Sequence, residues 1–262
     1  MGSRDRISIA LVTFNEEKNI EECLDSAKWA DEIVLVDSFS SDRTLEIARR
    51  YGVRIFQRPW PGFGKQKNFA LQQATMDWIF LLDADERIPE ELSGEIQNLL
   101  ASQPGGPAAY RVARKNYFYG HWLVWGGQYP DWQTRLYRKG VGSYDDTEPH
   151  ESFIFEGELG TLMNPLIHYT ERRISDHFPK LNNYSSLAAV QRSQTCKKVH
   201  GYDLVFRPLA AFYQFYLRKQ GFRDGIPGLI QATFKSFYTF VKYAKVWEIH
   251  QQKAGMGNAH RD

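Results

Sequence analysis

In the first hundred residues, short apolar runs alternate with segments of helical periodicity, and this alternation constrains the fold more than any other feature of the chain. Ile7–Phe14 (ISIALVTF) and Glu32–Asp37 (EIVLVD) are rich in β-branched and aliphatic residues, as strands buried on both faces of a parallel sheet are. Arg54–Gln57 reads as a short third strand and Trp78–Leu82 (WIFLL) as a fourth. Between them lie helical patterns. Asn19–Trp29 places Ile20, Cys23, Leu24 and Ala27 on one face. Ser41 is an expected N-cap for a helix ending at Tyr51, with Gly52 as its left-handed C′ residue. Lys65–Ala74 is a third helix, and Pro89 opens a fourth through Leu100.

This βαβαβαβα order predicts an α/β fold with a mostly parallel, Rossmann-like sheet and right-handed crossovers. Ligands bind such sheets beyond the carboxyl ends of the strands. The polar clusters fall at those ends: Thr13–Phe14–Asn15–Glu16–Glu17 after strand one, Asp37–Ser38 after strand two, and Asp83–Ala84–Asp85 after strand four. Gln103–Pro107 (QPGGP) is a turn-rich break. Residues 1–103 are therefore expected to form the nucleotide-binding half, and 104–200 an acceptor-binding half of the same domain. Residues 201–262 are expected to be C-terminal amphipathic helices, centred on about 206–219 and 228–248, after a helical stretch at Arg173–Lys198.

Composition narrows the function classes. A net charge of +2 over 262 residues gives no reason to expect nucleic acid as a partner. Cys23 and Cys196 belong to no metal-binding spacing and are read as reduced thiols. Arg4, Asp5 and Arg6 lead straight into the first strand, so no signal peptide is expected. No run reaches the roughly 20 apolar residues that a spanning helix needs.

Asp83–Ala84–Asp85 carries the sharpest chemistry. Two carboxylates two residues apart, just past a buried strand, can hold Mg²⁺ or Mn²⁺ and a ribose from one tight turn. Such a cation would neutralise the charge that builds on a departing nucleoside diphosphate.

Four motifs stand in order along the chain: TFNEE (Thr13–Glu17), VDSFSSDRT (Val36–Thr44), GFGKQKNFAL (Gly62–Leu71) and WIFLLDADE (Trp78–Glu86). Together they resemble the family 2 glycosyltransferases of the GT-A fold. QTRLYRKG (Gln133–Gly140), EPHE (Glu148–Glu151) and the aromatic C-terminal tail resemble the subgroup around the lipopolysaccharide core β-glucosyltransferases. The resemblance implies that Thr13, Asn15 and Glu17 line the nucleoside pocket and that Asp37 meets the base, with Ser38 and Ser40 beside it. It implies that Lys65 and Asn68 lie near the diphosphate, that Asp83 contacts ribose or metal, and that Asp85 is the main metal ligand.

An inverting transfer also needs a base for the acceptor hydroxyl. The candidates are Asp145, Asp146, Glu148 and Glu151, and Pro149–His150–Glu151 resembles the family's short HE signature, which favours Glu151. His168 is a candidate third metal ligand or diphosphate contact, or else a structural histidine. Arg135 is a candidate phosphate ligand, or else one half of a structural ion pair. Trp122, Trp125, Tyr129 and Trp132 could stack on a sugar or fill a core.

Residues 201–250 hold 13 of the 38 aromatic residues, with seven Lys/Arg against three Asp/Glu. Ile230, Phe234, Phe237, Val241 and Ala244 mark one helical face there. A basic, aromatic helix too short to span suits a membrane interface, and the alternative is a hairpin packed against protein. The leading expectation is a metal-dependent hexosyltransferase. It would move a hexose, glucose in the subgroup resembled, from a UDP-sugar to a lipid-linked or envelope glycan acceptor. It would be cytoplasmic and peripheral on the inner face of the cytoplasmic membrane. A polyprenyl-phosphate glycosyltransferase and a non-catalytic carbohydrate-binding scaffold are the alternatives. Sugar-nucleotide synthesis fits poorly, because it normally places a glycine-rich, basic loop where TFNEE is acidic.

Overall fold

The computed structural model describes residues 4–102, 105–146, 151–196 and 198–258, which divide into two compact units. The first unit comprises the chain to Lys115 together with Pro130–Thr170, and the second Asn116–Tyr129 together with the chain from Glu171.

In the first unit, β1 (Ile7–Thr13) is central, and its residues are almost all buried because each face meets a helix layer. Ile7, Ile9 and Leu11 point to one side, against Ile20, Cys23 and Leu24 of α1 (Ile20–Ala27) and Leu45 and Ile47 of α2 (Thr44–Arg49). Ala10 points to the other, with Val36, against Ala70, Leu71 and Ala74 at the end of α3 (Phe63–Gln73). The period of two distributes an unbroken apolar run between two cores.

On one side of β1 lie β2 (Glu32–Asp37) and then β3 (Arg54–Gln57), and on the other lies β4 (Trp78–Asp83), all parallel. The register sets Thr13 level with Asp37 and Val12 level with Asp83, so three carboxyl ends finish together. After β5 (Glu86–Arg87) and α4 (Glu90–Ser102), the sheet is extended by antiparallel pairing. β6 (Ala109–Phe118), β8 (Asp131–Arg138) and β12 (Leu166–Glu171) belong to this half, with strand order β3-β2-β1-β4-β8-β6-β12-β5, and β7 (His121–Trp122) pairs with the end of β6 that lies in the second unit. β9 (Gly142–Tyr144) and β10 (Phe153–Phe155) form a separate hairpin, and β11 (Leu159–Thr161) pairs with β6. The parallel half follows the pattern expected from the sequence; the antiparallel half is the addition.

Gly52 has φ +67°, as its C′ position requires. The expected Ser41 cap is corrected: the helix starts at Thr44, and Asp42 Oδ1 accepts the Thr44 N–H at 3.0 Å. Asp42 lies two residues before the first helical N–H, within reach that Ser41 lacks.

The second unit holds α5 (Ile174–Thr195), α6 (Gly201–Phe212) and α7 (Gly225–Asn258). A π-helical turn, Tyr213–Arg218, prolongs α6, and a 3₁₀ turn at Gly221–Asp224 leads into α7. Both helical stretches are longer than the sequence pattern suggested. The Asp224 carboxylate accepts the N–H groups of Val124 and Trp125 at 3.2 and 2.8 Å, which fixes residues 123–125 on the turn. Ser236 Oγ donates to the Pro208 carbonyl at 2.9 Å, joining α6 to α7.

Candidate active site

The loops after β1 and β2 are laced into one structure. Asn15, at φ +56°, donates its N–H to Ser40 Oγ at 2.8 Å and accepts the Ser41 N–H at 2.8 Å. Glu16 N–H reaches Thr44 Oγ1 at 2.8 Å and Glu17 N–H reaches Asp42 at 3.0 Å, while the Glu17 carboxylate accepts the Arg43 N–H at 3.2 Å. Asp37 is fully buried between them. Its carboxylate accepts from Thr13 Oγ1 (3.2 Å), Ser40 N–H (2.8 Å), Ser40 Oγ (2.5 Å) and Gln57 (3.3 Å). The structure thus makes Asp37 the organiser of the two loops, and a base N–H would meet it by displacing one of these donors. Ser38 accepts Gln66 Nε2 at 3.0 Å, and the fully buried Gln66 was not signalled by the sequence motifs.

Asp83 ends β4 beside a chain of buried charges. One nitrogen of Arg135, on β8, lies 2.5 Å from Asp83 Oδ2 and 2.5 Å from Glu86 Oε1. Glu86 has no exposed surface; it also receives Arg114 at 3.2 Å and the Asp83 N–H at 3.0 Å. Arg114 is held in turn by Asp131 at 2.7 Å. Burial alone would raise the Asp83 pKa, but Arg135 and then Lys67 outweigh it and hold the carboxyl well below the usual range. Arg135 is thus one half of an ion pair here, its two short contacts going to the half-buried Asp83 and the fully buried Glu86. Glu86 was overlooked in the motif DADE, where only its tertiary partners distinguish it.

Asp85 lies in the turn that follows. β12 pairs with β5 so that His168 stands opposite Glu86, and His168 Nε2 is 3.4 Å from Asp85 Oδ2. The two atoms are spaced as neighbouring ligands of one cation would be. Among the described residues no group of three His, Cys, Asp or Glu gathers to hold a metal. The Asp85 carboxylate oxygen fits Mg²⁺ or Mn²⁺, which complete their shells with water and substrate phosphate, and the imidazole nitrogen beside it favours Mn²⁺ of the two. Asp83 is turned to Arg135 instead.

Glu151 is brought to the same region by Lys67, whose Nζ is 2.5 Å from Glu151 Oε1 with both side chains nearly buried. Burial opposes the charge on Lys67, yet Asp83 first and Glu151 also raise its pKa. Lys67, one turn into α3, thus joins Arg135 as a cation at the site. Lys65 points to the surface, 3.7 Å from Asp146, in an open depression of about 460 Å³ that Arg58 and Asn68 also line. Asn68 uses both halves of its amide on the backbone of Tyr144, at 2.8 and 2.7 Å, so here it joins α3 to β9. Among the other carboxylates, Asp145 accepts the Ser152 N–H at 3.1 Å and Asp146 is exposed, while Glu148 lies outside the described residues. Trp122 meets Tyr129 edge-on at 5.6 Å, and Arg223 covers Trp125 at 3.7 Å. Trp132 lies under Arg111 at 4.6 Å.

A parallel 3-2-1-4 sheet with an acidic Asp-Ala-Asp turn at its carboxyl edge, extended by antiparallel strands, defines a GT-A fold. The chain belongs to glycosyl transferase family 2, whose family model matches residues 8–155. It is 33% identical over 255 residues to the lipopolysaccharide core biosynthesis glycosyltransferase LpsC of Rhizobium meliloti (strain 1021), covering 95% of this chain and 94% of that one. An uncharacterized glycosyltransferase of Rickettsia bellii (strain RML369-C) is 29% identical, over 94% of this chain and 88% of that one. Among solved structures, residues 1–349 of S. aureus TarS in complex with UDP-GlcNAc align with a TM-score of 0.50 and 16% identity, over 95% of this chain and 92% of that one. The protein is a glycosyltransferase.

Proposed function

We propose that the enzyme transfers a hexose, with inversion, from a UDP-sugar to a lipopolysaccharide-core or related envelope glycan acceptor at the inner face of the cytoplasmic membrane. The observation that carries this reading is the likeness to LpsC, which extends through nearly the whole of both chains and so beyond residues 8–155. The UDP-sugar follows the resemblance of the TFNEE and VDSFSS loops, and TarS, of the same fold, holds UDP-GlcNAc. Glucose is the sugar of the subgroup that the motifs resemble. The functional division keeps residues 1–103 for the donor, 104–200 for the acceptor and 201–262 for the membrane side.

In this reading Asp85 and His168 hold Mg²⁺ or Mn²⁺, which supplies electrostatic stabilisation of the leaving diphosphate. Thr13, Asn15, Glu17 and Asp37 keep the two nucleoside loops in one conformation, so the pocket is formed before the donor arrives. Lys67 and Arg135 fix the charge around Asp83. Glu151 accepts the proton of the acceptor hydroxyl as that oxygen attacks the anomeric carbon, while Lys67 keeps its carboxylate in place.

The test is transfer from a panel of labelled UDP- and GDP-sugars to core oligosaccharides of graded length. Transfer from one UDP-hexose to a core acceptor is expected. Transfer only to polyprenyl phosphate would overturn the acceptor assignment.

A further inference from the structure

On the helical face picked out by sequence periodicity, Phe234 stacks on His177 at 4.0 Å and meets Phe178 of α5 at 5.5 Å, while Phe237 is 43% exposed. A different surface is uncovered. Tyr202, the adjacent Val205 and Phe206, Leu209, Tyr213 and Leu217 recur every three or four residues along α6 and its π-helical turn and are each between 49 and 66% exposed. At about 100° per residue the first five lie within one narrow stripe. Asp203 and Arg207, the two charges within α6, fall outside the stripe and pair with each other at 2.7 Å. The stripe itself carries no charge.

Solvent-exposed apolar surface on this scale marks an interaction face. Its occupant is indicated by what lies at its end. Arg218, Lys219 and Arg223 are exposed there, and among the described residues none of the three has a carboxylate partner. An apolar, aromatic stripe ending in exposed cations that no carboxylate neutralises complements a surface with an apolar interior and anionic headgroups. Tyr202 and Tyr213 each carry a ring for the acyl boundary and a hydroxyl for the headgroups. A second copy of the chain would bring no acid on this stripe to meet those cations. No helix among the described residues is long and apolar enough to cross a membrane, so the contact is one of lying on the surface.

We infer that α6 and its π-helical turn form the element by which this protein docks on an anionic lipid bilayer, with Phe206 and Leu209 at the centre of the contact. The inference rests on the reading that the acceptor is held at a membrane, and it gives that contact a location on the chain.

Sedimentation of the full chain with vesicles of phosphatidylethanolamine and phosphatidylglycerol tests it, with phosphatidylcholine vesicles for comparison. Binding to the anionic vesicles is expected, weakened about tenfold or more by Phe206→Glu with Leu209→Glu. The pair Arg218→Ala and Lys219→Ala is expected to weaken binding and to reduce its salt dependence. Circular dichroism melting shows whether these surface variants fold. Absence of vesicle binding by the wild-type protein, or equal binding by the folded glutamate variant, would overturn the inference. So would light scattering that shows a dimer lost in the glutamate variant, since a second copy would then cover the stripe. Titrating UDP into the same preparations separates the two ideas: UDP binding without vesicle binding rejects the docking surface and leaves the transferase reading intact.

Discussion

Arg135 neutralises both Asp83 and a Glu86 that has no access to water. Breaking a buried pair by removing one member leaves an uncompensated charge. Arg135→Met is therefore expected to destabilise the protein by about 3–5 kcal/mol, read from urea denaturation. A loss below about 1 kcal/mol would show that water reaches Glu86. Because the Asp83 carboxyl is held below its unfolded value, its contribution is fully present above that value, near pH 4, and is lost only as pH falls below it. Glu151 calls for a kinetic test. Glu151→Gln is expected to lower kcat about 10²- to 10⁴-fold with nucleotide binding unchanged. Unaltered turnover would point to an acceptor that is already an anion. The sequence favours Glu151 through a short signature and places Lys65, rather than Lys67, near the diphosphate. Both lysines start the same helix, and only the packing of α3 on β9 buries one and exposes the other.

That packing is an element-scale property. A Cβ on Gly64 would stand 2.0 Å from the carbonyl oxygen of Asp145, so the first turn of α3 meets backbone that cannot yield as a side chain would. Gly64→Ala is expected to cost about 1–3 kcal/mol and to displace residues 145–146. Thermal melting and proteolysis near Asp145 would measure both, and an unchanged melting temperature would contradict the close approach. In α5, burial first and then Lys235 and Lys180 push the pKa of His177 down to about 4. The unfolded chain then binds a proton near pH 6.5 while the folded chain declines it until about pH 4. Stability should fall by about 2–3 kcal/mol as pH drops across that window and level off below it. His177→Phe should flatten the slope, and an unchanged slope would assign it to other groups. β1, β2 and β4 were legible because their burial needs only an unbroken apolar run. The charge chain Asp131–Arg114–Glu86–Arg135 was not, because it depends on antiparallel neighbours far apart in sequence. The same holds for the second unit: local periodicity left open whether the face with Phe234 meets membrane or protein, and only the tertiary packing of Phe234 on α5 and the exposure of α6 distinguish the surfaces.

At the scale of the whole molecule, the family match covers the donor-binding pattern and the likeness to LpsC continues through the C-terminal helices. The central claim is that nucleotide and cation meet at Asp85. Calorimetric titration of UDP and GDP, with and without Mn²⁺ or Mg²⁺, into the wild-type protein and Asp85→Ala addresses it most directly. The account predicts metal-dependent binding of UDP in preference to GDP, abolished by Asp85→Ala while the variant remains folded. UDP binding that ignores both the cation and the substitution would contradict it.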